Sequence, residues 1–539
     1  MALPVLKSAA KSAGKTILKT GAEFAGDILA GKSVKDAAKQ RALQAGKTMG
    51  RDFLSAAAGT FSGTRRKSAH KKRKHSDPPP IRRPVKRRRT SKKRHSDVFD
   101  YAYKMIHIGS CECTKSELEL FSVPPTLTSM EKSQVVEYLP LGALSDDNPL
   151  EFVVPGDENY VDLSKLLLYT EQKITKADGS DLDAGTKVGP INYLLHSQFS
   201  QVDLSLNGEL VTSSNSTYPF LSYIQALLSF DEGAKKSHLQ SSLRYADEAG
   251  KFDHVDPGQA QVNNGFKRRS AFAAESKVFD MIGRPHLDLC HQNRYLPNGV
   301  DMNFRFNRAK KSFSLMSDDG TQLLKITKAL LLVRKVKLNP AVFDAHAKAF
   351  NSQTAKYPIR RTELKTFTIL DGGRNVQRDN VFLGQLPRRV IIALVDNEAF
   401  VGAGKKYPFY FEHKNMSSIS LEANGQSFPA QPLKTSFANN QTNYVRAYLT
   451  LFSEVGKFFD DSGNDITREA YKKGFALLAF DLTPDQEEGA HLNLVKEGNL
   501  RLDMTFSEAL DVNISVLVYG EFDNVLEIDR ARNIIKDFK

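Results

Sequence analysis

Gly26-Asp-Ile-Leu-Ala-Gly31-Lys32-Ser33 matches, letter for letter, the glycine-rich loop whose amides and lysine hold nucleotide phosphates. That chemistry needs a buried strand before the loop and a helix after it, within an α/β sheet. The preceding residues, Lys19-Thr-Gly-Ala-Glu-Phe-Ala25, read as helix, so the match is expected to be accidental. His286, Asp288 and Cys290 alternate, so on a strand they would share one face, with His291 opposite. A metal site needs more ligands than this run supplies. Cys111 and Cys113 form a lone Cys-x-Cys in a linker. Asp460-Asp-Ser-Gly-Asn-Asp465 misses the spacing of a calcium loop and reads as an acidic turn. Leu370-Asp-Gly-Gly373 superficially suits a processing protease that prefers Gly-Gly, but is more simply a turn. The chain has no Gly-x-Ser-x-Gly elbow, no His-Glu-x-x-His and no zinc-knuckle spacing. No enzyme, metal, cofactor or small-molecule substrate is therefore expected.

The stronger chemical signal is charge. Lys71, Lys72, Arg73 and Lys74 are followed by three prolines, then by Arg82 and Arg83, by Lys86, Arg87, Arg88 and Arg89, and by Lys92, Lys93 and Arg94. Residues 1–95 hold 26 Lys+Arg against 5 Asp+Glu, a net of +21 within a total of +14. The remaining residues therefore carry −7. Such clusters neutralise nucleic-acid phosphates without reading sequence, and their binding weakens steeply with salt. Two clusters around a proline spacer also suit nuclear import. No aromatic residue interleaves with them, so base stacking is not expected.

Behind these residues stand distinct regimes. Residues 1–58 are rich in Ala, Lys and Gly. Leu6, Ala10, Ala13, Ile17, Phe24 and Ile28 make a helical stripe that glycines weaken. It could dock on a protein surface, make a transient membrane contact through residues 5–29, or act as a spacer. Residues 59–117 form a basic, proline-containing arm and linker, expected to be disordered when free because its charges repel and it has no core-forming pattern. No secretory signal and no apolar run of about 18 residues appears. Three cysteines in 539 residues argue against a disulfide framework and for a reducing compartment.

From residue 118 the pattern is that of a β protein. Val202-Asp-Leu-Ser-Leu206 runs into Asn207-Gly208, and Ile419-Ser-Leu-Glu-Ala423 into Asn424-Gly425; each predicts a tight hairpin. Val300, Met302, Phe304 and Phe306 line up with Leu500, Leu502, Met504 and Phe506. His286-Leu-Asp-Leu289 lies upstream of the first set much as His491-Leu-Asn-Leu494 lies upstream of the second. Apolar strands at 329–336 and 512–519 follow. One β unit used twice, about 200 residues apart, is expected: jelly rolls at 118–350 and 351–530, with 531–539 as a tail. Helices are expected at 219–230 and 341–350, the latter as connector.

Several segments in this order resemble one family. They are Leu120-Phe-Ser-Val-Pro-Pro-Thr-Leu-Thr128, Tyr160-Val-Asp-Leu163, Val188-Gly-Pro-Ile-Asn192 and the run from Phe199 to Gly208. Ala355-Lys-Tyr-Pro-Ile359, Gly384-Gln-Leu-Pro387 and the ending from Tyr519 to Arg530 continue the match. The family is the major capsid protein of Polinton (Maverick) elements and their adintovirus relatives. The resemblance implies a mainly β double jelly roll that forms homotrimers, pseudo-hexagonal capsomers and an icosahedral lattice around double-stranded DNA. It also implies vertex or minor capsid partners, a place in the virion, and assembly in the host nucleus. The arm resembles the small basic core or minor capsid proteins of the same elements, and its fusion to the body departs from the simplest pattern. Two other readings share parts of the signal. A nuclear DNA-binding protein from a domesticated element would need the arm but no capsomer. A minor or vertex capsid protein would need only one roll.

Overall fold

In each hairpin the turn chemistry is realised. Asn207 and Gly208 take φ of 48° and 84°, and Asn424 and Gly425 take 50° and 80°. A two-residue turn of this hand matches the twist of its flanking strands, and Asn-Gly tolerates both positive angles. The computed structural model describes residue 123 and residues 125–538, except 146–147, 214, 259–261, 439, 441 and 487–490. The stripe from Leu6 to Ile28, the 26–33 loop, the thirteen basic residues from Lys71 to Arg94, and Cys111 and Cys113 lie outside the described residues.

The first sandwich is built from β1 (Met130–Tyr138), β2 (Leu150–Val154), β3 (Tyr160–Thr175), β4 (Val188–Pro190), β5 (Phe199–Leu206), β6 (Glu209–Leu210), β7 (Phe279–Gly283), β8 (Met302–Arg308), β9 (Leu315–Ser317) and β10 (Leu323–Leu338). Its sheets run β1-β10-β3-β7 and β2-β8-β5-β6, with β4-β9 as a separate pair. The second uses β11 (Ala355–Ile369), β12 (Asn375–Gln385), β13 (Arg389–Asp396), β14 (Met416–Ala423), β15 (Gln426–Lys434), β16 (Ser436–Phe437), β17 (Thr442–Asn443), β18 (Leu478–Asp481), β19 (Glu497–Phe506) and β20 (Ile514–Ile528). Its sheets run β11-β20-β13-β18 and β12-β19-β14-β15. Counting the eight principal strands of each sandwich in chain order, both read 1-8-3-6 over 2-7-4-5. The chain is a tandem double jelly roll.

Apart from Val300, which precedes β8, the paired residues fall on equivalent strands, but two residues out of register: counted from the Asn-Gly turns, Met302 matches Leu500 and Phe306 matches Met504. Phe306, Phe304 and Met302 of β8 face Val202, Leu204 and Leu206 of β5. Met504, Leu502 and Leu500 of β19 face Ile419, Leu421 and Ala423 of β14. In both, every second residue is buried because the period of a strand is two. The 329–336 and 512–519 stretches fall on β10 and on the start of β20, the eighth strand of each roll.

Four helices matter to the argument: α1 (Tyr218–Ser229), α2 (Asn264–Ala273), α3 (Pro340–Ala349) and α4 (Val445–Ser453). α3 is the connector; Asn339 caps it by accepting from the amide of Ala341, and Pro340 opens its first turn. None of its residues is buried. It borders a cavity of about 610 Å³ lined by Tyr160, Pro297, Leu338, Phe350 and Tyr357. α1 grows from the first roll, yet its Phe220, Tyr223, Ile224 and Leu227 belong to the core of the second. Tyr223 stacks on Phe409 with ring centroids 4.1 Å apart. In return, Tyr357, Ile359, Leu526 and Ile528 join the core of the first roll. The rolls therefore share packing rather than merely touch.

Two local expectations change. His286, Asp288 and Cys290 do not lie on a strand: β7 stops at Gly283, Pro285 cannot donate to a ladder, and 288–291 coil into a 3-10 turn. The segment read as a tail carries β21 (Ile534–Lys536), paired antiparallel to β20.

Candidate assembly surfaces

The start of β1, the end of β10 and the start of β3 meet at one end, since Met130 pairs with Leu338 and Val336 with Tyr160. The start of β11 and the end of β20 meet likewise, Ala355 facing Ile528. Contacts across the rolls bring these ends together as a common base. The Tyr357 hydroxyl donates to Tyr295 O at 2.9 Å. Arg532 donates to Asn298 O at 2.7 Å and to its Oδ1 at 2.8 Å, while its guanidinium lies 4.6 Å from the Phe350 ring centre.

Above the base, the loop after β7 forms the joint between rolls. Its 3-10 turn touches both β3 and β11. Asp288 accepts from the Thr362 amide at 3.2 Å and the Thr362 hydroxyl at 2.7 Å. Burial pushes its carboxyl up to about 6, although the Thr362 bonds and Arg361 pull the other way. Leu287 and Leu289 flank it, each only 3% exposed.

A second polar knot ties the opposite loops. Arg269 on α2 and Asp247 form a fully buried ion pair at 2.9 Å. Asp247 also accepts from Asn192 at 2.8 Å, from Asn263 at 2.8 Å and from the Tyr407 hydroxyl of the second roll at 2.5 Å. The carboxylate's lone pairs are satisfied in this way, which is what a buried pair requires, while Arg269 Nη2 has no partner among the described residues.

Beside α1 sit two buried imidazoles. The rings of His196 and His286 are 4.8 Å apart, edge to face. His286 Nδ1 donates to Gln225 Oε1 at 2.7 Å, so its Nε2 accepts from the Tyr193 hydroxyl at 2.8 Å. The Tyr218 hydroxyl accepts the His286 amide at 3.1 Å, leaving its proton for His196 Nδ1 at 3.0 Å. His196 Nε2 has no partner among the described residues. Burial holds His196 down to about 3; burial, His196, His291 and Arg284 hold His286 well below the usual histidine range.

The remaining candidates resolve into structure. Asp460, Asp461 and Asp465 are exposed, while Asn464 turns inward to donate to Leu451 O at 2.9 Å. The buried ammonium of Lys235 donates to Leu227 O at 2.8 Å and to Asn464 O. A cation already occupies that carbonyl, so the loop is built as a turn. Burial, with Arg244 and Lys457 nearby, lowers Lys235 to about 7. Gly372, at φ +77°, donates to Leu510 O at 2.8 Å in the turn between β11 and β12. Among the described residues no three His, Cys, Asp or Glu side chains gather to hold a metal, and no helix is long and apolar enough to cross a membrane. Sequence reasoning missed the Asp247–Arg269 knot and the pairing of His196 with His286. Asp247 lies 22 residues from Arg269 and 160 from Tyr407, and His196 lies 90 from His286, so spacing carried no signal.

No family model matches the chain. An uncharacterized protein of Caenorhabditis elegans is 25% identical over 431 residues, covering 77% of this chain and 99% of that protein. A chain of the Sputnik virophage structure superposes with a TM-score of 0.55 at 10% identity, over 80% of this chain and 93% of its own. The Faustovirus major capsid protein gives 0.50 at 9% identity, over 80% and 94%. A chain of the PBCV-1 virus capsid gives 0.50 at 9%, over 78% and 99%. At these identities the likeness is one of fold.

Proposed function

We propose that the chain is a major capsid protein of the Polinton/adintovirus type, a structural protein whose working form is a homotrimer tiled into an icosahedral shell. The observation that carries this reading is the repeated strand order, together with an edge left open among the described residues. β11 opens the second roll and is covered by the first. β1 holds the same place in the first roll, and none of its residues is buried. An open nine-residue edge is a liability unless something covers it. A chain with one covered and one open copy of the same element suits a head-to-tail ring.

The described chain enters at the base, where β1 begins and β21 lies. We place that end toward the shell interior. The arm's Lys71, Lys72, Arg73, Lys74, Arg82, Arg83, Lys86, Arg87, Arg88, Arg89, Lys92, Lys93 and Arg94 then face double-stranded DNA, and the −7 remainder of the chain avoids it. Nuclear import through the same clusters, vertex or minor capsid partners, and transient membrane contact of residues 5–29 belong to this reading. So do roll limits of 118–350 and 351–530. Negative-stain imaging and native mass spectrometry of the purified full chain test it. Pseudo-hexagonal trimers or shells are expected. Dispersed monomers at every concentration would overturn it in favour of a DNA-binding protein that does not assemble.

A further inference from the structure

Between the rolls, α1, the loop after β7, the strands β11, β13 and β20, and the chain just past α4 line a cavity of about 350 Å³. That is within the size of small-molecule sites. Arg284, Arg360, Arg389 and Lys457 line it, against one carboxylate among the described lining residues, Glu521. His286 and His291 also face it. Burial and Arg284 hold His291 down to about 4, and His286 is neutral too, so neither adds charge near neutral pH. Four cations against one carboxylate is a local reversal, since the residues beyond 95 carry −7 together.

The carboxylate is already engaged. Glu521 accepts from Arg389 at 3.0 Å through one oxygen and from the Tyr519 hydroxyl at 3.3 Å through the other. Strand register fixes this arrangement. Arg389 lies opposite Glu521, Glu521 lies opposite Thr362, and Arg360, two residues from Thr362, shares their face. Arg389 is 4% exposed and also donates to Glu454 O at 2.6 Å, while Lys457 donates to Ser229 O at 2.8 Å. Arg284 and Arg360 stand exposed. Ile224, Leu228, Ile391 and Val455 supply apolar wall beside these charges. Cations gathered on such a wall repel one another, and the same wall strengthens their hold on an anion.

We propose that this cavity binds a small polyphosphate anion, which ties the rolls together through Arg284 of the first and Arg360, Arg389 and Lys457 of the second. Three of the four cations are arginines, whose planar forks match phosphate oxygens two at a time. A surplus of positive charge suits a multivalent anion better than a single carboxylate. The volume admits a short polyphosphate and is too small for a duplex, so the site is separate from the arm's contact with DNA. The inference stands whether or not the chain assembles.

Thermal unfolding of the full chain with sodium tripolyphosphate, against sodium chloride at equal ionic strength, tests it. A ligand held by the folded rolls raises the melting temperature, here by roughly a few degrees at saturation. Arg284→Glu combined with Arg360→Glu should raise the tripolyphosphate concentration needed for that shift by about tenfold or more. Both side chains are exposed, so the variant keeps its fold, as circular dichroism should confirm. Lys165→Glu combined with Lys277→Glu makes the same charge change at exposed positions outside the cavity and should leave the shift as it is. A wild type with no shift, or an Arg284/Arg360 variant that shifts at the wild-type concentration, overturns the site. A shift given by a 5′-phosphorylated oligonucleotide but not by tripolyphosphate overturns the small ligand in favour of a nucleic-acid end.

Discussion

At the scale of single residues, the buried polar groups carry the consequences of pH. His196 is neutral in the folded chain because burial withholds water, and His286 because burial is reinforced by His196, His291 and the positive Arg284. Their folded pKa values lie below the unfolded value of about 6.5. The stability they allow is complete above that pH and is lost as pH falls below it. At pH 5.0 His196, held down to about 3, should cost roughly 2 kcal/mol, and His286 acts in the same direction. Asp288 works in the opposite sense: its folded pKa is raised to about 6, so it loses stability as pH rises above the unfolded value. The histidine contribution is isolated by comparing thermal unfolding of wild type and His196→Phe at pH 7.5 and 5.0. The variant should lose less on acidification by roughly 2 kcal/mol. An unchanged acid sensitivity would mean that His196 is already charged, or stays hydrated, in the folded chain.

At the scale of elements, α1 is the piece that makes two rolls one folding unit. Its Tyr223 lies on Phe409, and its Phe220 meets Phe313, Phe400 and Phe409. Tyr223→Ala should destabilise by roughly 3–5 kcal/mol, the cost of removing a large buried ring without collapse of the site. Because the ring sits in the second roll while its helix belongs to the first, urea unfolding should weaken both rolls together. Separate transitions, with only one moved, would contradict the shared core. The sequence made these elements visible to different degrees. The Asn-Gly hairpins and the alternation in β8 and β19 were legible because turn chemistry and strand period are local. Helix α1 was legible as a helix, but its destination in the other roll was not. The reading of His286, Asp288 and Cys290 as one strand face failed because alternation survives in a turn after Pro285 as readily as in a strand.

At the scale of the whole molecule, charge is segregated along the chain. The arm holds +21 and the rest −7, so removing residues 1–95 should leave assembly intact while abolishing the steep salt-dependent part of DNA binding. Filter binding across 50–200 mM salt checks this. A truncated chain that still binds DNA with the full salt slope would remove the arm from the role assigned to it.

The sequence alone determined that a strongly basic stretch precedes a β body, that one strand pattern occurs twice, and where its tightest turns fall. Composition and period act residue by residue, and no distant partner is needed to read them. Only the tertiary structure decided that Leu287 and Leu289 are buried while Leu492 and Leu494, in a similar run, are exposed. The same holds for β11, which is covered, and β1, which is open. Burial is a property of what lies opposite. The first roll meets the second within the chain, while among the described residues β1 and the 492–495 loop stay exposed.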